Sequence, residues 1–315
     1  MERSARSLRI GTRGSALALW QARRVAGLIE ERLGDPSELK IIKTQGDRIQ
    51  DVSFQKMEGK GFFTKELQRA LLDEEVDLVV HSCKDLPTEE PEGLAVAAIP
   101  ERTTSSDLLL ARPEVLKTTP ANPLGLPPGT VLGTSSLRRA AQALALVPEL
   151  KIKALRGNVP TRVRKLREGL YDAILVASAG VRRLELDLSG LDVLELPPEV
   201  MLPAPAQGAI AVETRSGGAV YERLRRLHDE GVARGVHAER LLLQLLGGGC
   251  QIPFGCLASE LEDGSIRLQA VLGEVDDEVT RAEVARVGAS APTAEDAARA
   301  CHAALELARK ELAAR

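Results

Sequence analysis

A short apolar strand, a polar turn and an amphipathic helix open the chain in that order, and the same succession returns from residue 131. In the first instance residues 8–11 read as the strand, Thr12-Arg13-Gly14-Ser15 as the turn and 16–33 as the helix, with Ser15 placed to cap it. In the second, Val131-Leu132-Gly133 is the strand, Thr134-Ser135-Ser136 the turn, and Leu137-Arg138-Arg139 opens the helix. Further segments fill out each unit: strands over 39–44 and 77–81 with a helix over 64–75, then strands over 151–155 and 173–177 with a helix from 161. Strands that alternate with helices in this way pack beneath them in an open sheet, so the pattern predicts two α/β lobes built on parallel strands.

Residues 112–129 are rich in proline and poor in helix signals, which predicts a surface connector. After Pro203 and Pro205, residues 209–214 read as a strand that returns the chain to the first lobe. From residue 223 a helix runs to 246, a glycine loop follows, and strands over 256–260, 265–272 and 279–286 lead to a final helix over 293–312. The expected layout is a first lobe from 1–100 with 200–218, a second lobe from 105–195, and a C-terminal α+β domain from 222–315. With 315 residues, 44% of them hydrophobic, the chain is large enough for several separate cores.

Composition excludes several classes of partner. A net charge of −3 gives no electrostatic reason to expect nucleic acid or an anionic membrane, and 2% aromatic content cannot supply base-stacking platforms. No stretch of 18 apolar residues and no signal-like start occur, so a cytoplasmic protein without a membrane anchor is expected. The cysteines at 83, 250, 256 and 301 show neither zinc-site pairs nor a disulfide framework, and no metal is expected. The default oligomeric state is a monomer. The basic residues are 31 Arg against 11 Lys, so position decides what the arginine forks hold.

Both strand–turn–helix units place hydroxyls and arginine at a helix start: Thr12, Arg13 and Ser15, then Thr134, Ser135, Ser136, Arg138 and Arg139. Free backbone N–H groups and the helix dipole make such turns anion sites, and arginine adds a bidentate grip. Arg156, Arg162 and Arg183 also fall near strand ends or helix starts, where ligands of open α/β sheets bind. In His81-Ser82-Cys83-Lys84-Asp85-Leu86-Pro87, Lys84 and Asp85 follow a strand. A carboxylate there accepts a proton or stabilises a forming cation, which makes Asp85 the candidate catalyst. His81 and Cys83 read as core-facing. Residues 54–65, with Lys60 among their basic and glycine positions, read as a loop able to close over a site. Cys250 lies in Gly247-Gly248-Gly249-Cys250-Gln251-Ile252-Pro253-Phe254-Gly255. A thiol on such a loop is either presented as an attachment point or packed as a small apolar residue.

Taken in order, these motifs resemble the porphobilinogen deaminase (hydroxymethylbilane synthase) family over essentially the whole chain. The match runs through residues 11–21, Thr44-Gln45-Gly46-Asp47, Gly59-Lys60-Gly61, residues 81–87 and 133–139, Arg156-Gly157-Asn158-Val159 with Thr161-Arg162, Ala179-Gly180 with Arg183, Gln207-Gly208-Ala209 and residues 247–255. The resemblance implies two type II periplasmic-binding-protein-like lobes and a C-terminal α+β domain. It also implies a transferase of tetrapyrrole and heme biosynthesis, which joins four porphobilinogen molecules head to tail with loss of ammonia on a dipyrromethane cofactor. The cofactor would hang by a thioether from Cys250. Arg13, Arg138, Arg139, Arg156, Arg162 and Arg183 would hold acetate and propionate arms, and Asp85 would stabilise the cation formed as ammonia leaves. Ser15, Ser82, Lys84, Thr134, Ser136, Asn158 and Gln207 match cofactor or substrate contacts, and Lys60 the lid loop.

Two departures stand out. Pro203-Ala204-Pro205-Ala206 occupies the place where the family usually has Pro-Ala-Val-Gly, and Glu58 stands where glycine is common in the lid-like loop. Both are expected to stiffen their segments.

Overall fold

Ser15 does cap the first helix. Its Oγ accepts the Ala18 N–H at 3.3 Å, and Gly34 ends the helix in the left-handed region with its N–H on the Glu30 carbonyl. The computed structural model describes residues 7–44, 64–248 and 252–313. Its first stretch of elements is β1 (Leu8–Thr12), α1 (Ala16–Leu33), β2 (Ser37–Ile41), α2 (Lys65–Leu72), β3 (Leu78–Ser82) and β4 (Leu94–Ala98). Next come β5 (Asp107–Ala111), β6 (Val131–Gly133), α3 (Leu137–Leu146), β7 (Lys151–Lys153), α4 (Val159–Arg167), β8 (Ala173–Ala177), α5 (Ser178–Arg183) and β9 (Asp192–Leu196). The chain finishes with β10 (Ile210–Arg215), α6 (Gly218–Arg225), α7 (Glu230–Leu245), β11 (Phe254–Glu260), β12 (Ile266–Val275), β13 (Ala282–Ala291) and α8 (Ala294–Ala313).

The elements fall into two units, Met1–Thr103 with Gly208–Arg234 and Thr104–Gln207 with Gly235–Arg315. The first unit holds a five-stranded sheet in the order β2-β1-β3-β10-β4. Apolar residues cover both faces of its centre. Ile10, Leu78, Val80, Ile210 and Val212 pack under Val25, Leu28 and Ile29 of α1, while Val79 packs with Leu67 and Leu71 of α2 on the other face. The second unit holds a five-stranded sheet ordered β7-β6-β8-β5-β9 and an antiparallel sheet β11-β12-β13. Leu109, Leu132 and Leu175 meet Leu144 of α3 on one face of the five-stranded sheet, and Leu110, Ile174 and Val176 meet Val163 and Leu166 of α4 on the other. The antiparallel sheet buries Phe254, Ile266 and Leu268 against Ala298, Cys301 and Leu305 of α8.

The expected α/β class, with two α/β lobes and a C-terminal α+β part, is therefore present, but the strands are not all parallel. β1, β2 and β3 pair in parallel, whereas β10 enters antiparallel between β3 and β4. In the second lobe β6, β7 and β8 are parallel and β5 is antiparallel to β8 and β9. A strand buried on both faces shows the same apolar run in either direction, so periodicity alone could not reveal the reversal. β4, β5 and β9 were also absent from the sequence reading. β4 is alanine-rich, β5 opens on an acid, and β9 lies at a sheet edge with alternating exposure.

The helix expected over 223–246 is instead two. Asp229 separates α6 from α7, with its side chain accepting the Val232 N–H at 3.0 Å and its own N–H on the Ile99 carbonyl. The last strand begins three residues later than expected, because Asp276 gathers the Thr280 and Arg281 N–H groups into a tight turn. Ala206 adopts φ 60°, a conformation that costs a residue with a Cβ about 1–2 kcal/mol. It is fully buried, and its N–H is held by Glu239 Oε2 at 2.6 Å. A methyl thus sits in a backbone conformation better suited to the glycine usual at this place.

Within the second unit α3 lies directly on the antiparallel sheet. A Cβ at Gly273 of β12 would stand 2.7 Å from Ala141 Cβ and 3.4 Å from Pro253 Cβ, so no side chain fits there without separating helix from sheet. Gly273→Val is expected to destabilise this unit by about 1–3 kcal/mol, read as a lower thermal midpoint; an unchanged midpoint would contradict the close approach.

Candidate functional site

In the first unit the site residues stand at the carboxyl ends of β1 and β3. Arg13 follows β1 and is half-buried, and Ser15 serves as the α1 cap. Ser82 ends β3, with its hydroxyl 2.9 Å from the Gln21 side-chain amide nitrogen of α1. Cys83, Lys84 and Asp85 then form one 3-10 turn, closed by the Leu86 N–H on the Cys83 carbonyl and tied to the sheet by the Cys83 N–H on the Ala209 carbonyl at 3.0 Å. This turn buries Cys83, half-buries Lys84 and leaves Asp85 exposed. Asp85 is thereby a solvent-facing carboxylate on an anchored backbone. His81, one strand position earlier, is buried with Nε2 3.0 Å from Glu213 Oε2, and Gln68 donates to the other oxygen of that carboxylate. The histidine faces the core.

In the second unit the corresponding turn is deeper. Thr134 is buried, and its Oγ1 accepts the Ser136 N–H at 3.1 Å. Ser136 precedes α3 without a side-chain cap, so the helix N-terminus keeps donors that its own hydroxyl does not use. Arg138 and Arg139 leave the first turn of α3 and are 4% and 5% exposed, which removes both from the class of solvated surface arginines. Asp107, fully buried at the start of β5, accepts Arg138 Nη1 at 2.7 Å and Arg139 Nη2 at 2.6 Å. The Leu202 and Leu175 carbonyls take further bonds from Arg138 and Arg139. Burial alone would raise the Asp107 pKa. The charges of the two guanidinium groups and their hydrogen bonds outweigh it and hold the carboxyl below the usual carboxylate range.

Gln207 joins this cluster. It is 1% exposed, and its amide nitrogen donates to the Ser105 carbonyl at 2.7 Å and to Asp107 Oδ1 at 2.9 Å. Its position therefore serves Asp107. Arg156-Gly157-Asn158 leads into α4, where Asn158 caps the helix by accepting the Thr161 N–H at 3.0 Å. Gly157 has φ +109°, and a Cβ there would stand 2.6 Å from Thr161 Cγ2, so the turn demands glycine. Arg162 donates from Nε to the Gly157 carbonyl at 2.7 Å, and Arg183 is buried at the end of α5. The two strand-end sets each lie within their own unit, and Lys60 and Cys250 fall outside the described residues. The cysteines 83, 256 and 301 are all buried, and burial pushes the Cys301 thiol up to about 12, which makes it inert as a nucleophile.

Asp107 and Gln21 were missed as members of the site. An acid opening the otherwise apolar run Asp107-Leu108-Leu109-Leu110-Ala111 was the available signal, since a buried strand carries a charge only when something pairs it. Gln21 gives no such signal within an ordinary amphipathic helix.

Comparison with known proteins places this chain in a family. Residues 8–223 match the family model described as "Porphobilinogen deaminase, dipyromethane cofactor binding domain", and residues 233–309 match "Porphobilinogen deaminase, C-terminal domain". The porphobilinogen deaminase of Maridesulfovibrio salexigens is 48% identical over 274 residues, 86% of each chain. That of Nitratidesulfovibrio vulgaris is 44% identical over 305 residues, 96% of this chain and 92% of its own. Among solved structures, the substrate binding protein of an amino acid ABC transporter aligns at 16% identity and a TM-score of 0.40, covering 71% of this chain and 92% of that one. On the family models and the extent of these identities, the chain belongs to the porphobilinogen deaminase family.

Proposed function

We propose that the chain condenses four porphobilinogen molecules head to tail, releasing ammonia, into the linear tetrapyrrole hydroxymethylbilane. The observation that carries this reading is the buried Arg138–Asp107–Arg139 cluster within the segment matched to the cofactor-binding model. Two cations against one anion leave a net positive charge out of water, and Arg139 Nε is buried without a hydrogen-bond partner among the described residues. Such a cluster fits a ligand that brings carboxylates. A dipyrromethane bearing acetate and propionate arms meets that requirement; when bound it supplies the primer on which pyrroles are joined.

Cys250 is the proposed attachment point. It lies five residues before Gly255, and five residues of chain span at most about 18 Å. Arg138 runs beside that strand start, since a Cβ on Gly255 would stand 3.0 Å from Arg138 Cδ. The arm of chain carrying the thiol is therefore rooted against the arginine cluster.

The other residues divide by chemistry. Arg13, Arg138, Arg139, Arg156, Arg162 and Arg183 supply forks for carboxylates, and the hydroxyls and turn amides at Ser15, Thr134 and Ser136 supply neutral donors. Lys84 adds a point charge beside Asp85, and Ser82 and Asn158 add short polar contacts. Gln207 acts through Asp107, because its donors are committed to its own chain. Asp85 accepts the pyrrole N–H of porphobilinogen and stabilises the positive charge that develops as the aminomethyl group departs as ammonia. Lys60 belongs to the lid loop in this reading. No helix among the described residues is long and apolar enough to cross a membrane, and the reading takes the chain to work in the cytoplasm as a monomer.

The direct test is the intact mass of the purified protein, expected to exceed the sequence mass by one dipyrromethane; an active protein with an unmodified thiol would refute the tethered primer. Cys250→Ser is expected to leave a folded chain with little or no adduct, and normal bilane formation by that variant would contradict attachment there. Asp85→Ala is expected to retain the adduct at least in part yet lose kcat by about two orders of magnitude or more, the scale of removing one transition-state charge stabiliser. Near-normal single-turnover rates would remove Asp85 from the mechanism.

A further inference from the structure

Arg138 and Arg139 are adjacent in sequence, so on a helix their Cβ atoms point in directions about 100° apart. Left alone, two long neighbouring side chains diverge and sample many rotamers. Here both end on the same carboxylate. Asp107 takes Arg138 Nη1 on Oδ2 and Arg139 Nη2 on Oδ1, while Gln207 holds Oδ1 from a third side. The carboxylate is itself fixed by β5, whose neighbours β8 and β9 pair with it along its whole length.

The bonds made also determine which donors remain. Each guanidinium carries five N–H groups. On Arg138 the Leu202 carbonyl and Asp107 share Nη1, and on Arg139 the Leu175 carbonyl takes Nη1 while Asp107 takes Nη2. Arg139 Nε remains buried and without a partner among the described residues. A buried orphan donor costs roughly 1–3 kcal/mol unless a ligand meets it. The cluster is thus arranged to be one acceptor short.

We propose that Asp107 is a positioning residue of this site: its buried carboxylate aims the Arg138 and Arg139 forks so that one positive charge and one buried N–H are left to meet a carboxylate of the bound pyrrole chain. The proposal rests on the reading of function given above. Asp107 does not touch the ligand. It acts by restricting two arginines to one orientation before the ligand arrives, which removes an ordering cost from binding.

Two variants separate aiming from charge balance alone. Asp107→Glu keeps the charge and shifts the carboxylate by one methylene. Aiming predicts folded protein with a smaller adduct-bearing fraction by intact mass and, in the loaded fraction, a KM for porphobilinogen raised about tenfold or more with kcat changed much less, the scale of one misaligned charge-assisted hydrogen bond. A wild-type adduct fraction and wild-type KM in this variant would overturn the proposal. Where the extra methylene prevents folding, Asp107→Asn keeps the shape, removes the charge and leaves one acceptor oxygen for two forks: aiming predicts the same smaller adduct fraction and raised KM, whereas charge balance alone, with two guanidinium groups uncompensated, predicts carboxylate binding as tight as wild type or tighter and would overturn the proposal. Failure of both variants to fold would assign the cluster to folding and sink the proposal. Wild-type protein without any adduct would refute the reading of function, and the proposal with it, whereas loaded wild type beside equally loaded variants refutes the aiming role alone.

Discussion

One carboxylate balances two guanidinium groups inside this protein, and much of the second unit is arranged around that imbalance. Arginine cannot shed its proton to escape burial, so each of these side chains must find acceptors where it lies. The acceptors, Asp107 at the head of β5, the Leu175 carbonyl in β8 and the Leu202 carbonyl, come from three separate stretches of chain, and the Gln207 amide donates to Asp107. Their agreement on one small volume fixes the end of the sheet, the start of α3 and the 202–207 segment together. Gln142 reinforces the same seam, accepting the Leu202 N–H and donating to its carbonyl. Glu239 secures the other side through the Ala206 and Ala258 N–H groups.

The same sheet plan occurs in both units, and it explains why each has a polar turn in the same place. In each lobe the first of the three parallel strands, β1 or β6, sits between the other two, so the turn leaving it opens at the carboxyl edge of the sheet. The turn after β1 stays shallow and carries Arg13 half-buried, while the turn after β6 leads into buried arginines. A single topology thus yields two polar, arginine-bearing turns of different depth. The shallow one lies on the strand next to the one that ends at the exposed carboxylate Asp85.

Local physics made part of this readable beforehand. Ser15 is a cap whose side chain announces it, and the apolar runs of β1, β3, β6 and β8 stand between clear turn residues. The motifs carried the family because their glycines and charges recur in a fixed order. Strand direction was hidden, since β10 is buried along nearly its whole length and a buried run looks alike read either way. Asp107 was hidden for a different reason: its importance comes from arginines 31 and 32 positions away, a separation that no local window spans. The left-handed backbone of Ala206 was equally invisible, because glycine would have advertised it and alanine does not.

The place of β10 has a consequence for the order in which the molecule is made. Residues 107–196 contain every strand of the second sheet, so that sheet has all its members once Leu196 has left the ribosome. The first sheet, though begun earlier, lacks the strand between β3 and β4 until residue 215 is synthesised. During translation the amino-terminal lobe therefore waits with two unsatisfied strand edges while its later neighbour can already close, an interval in which a nascent chain is most exposed to mispairing and most in need of chaperone cover.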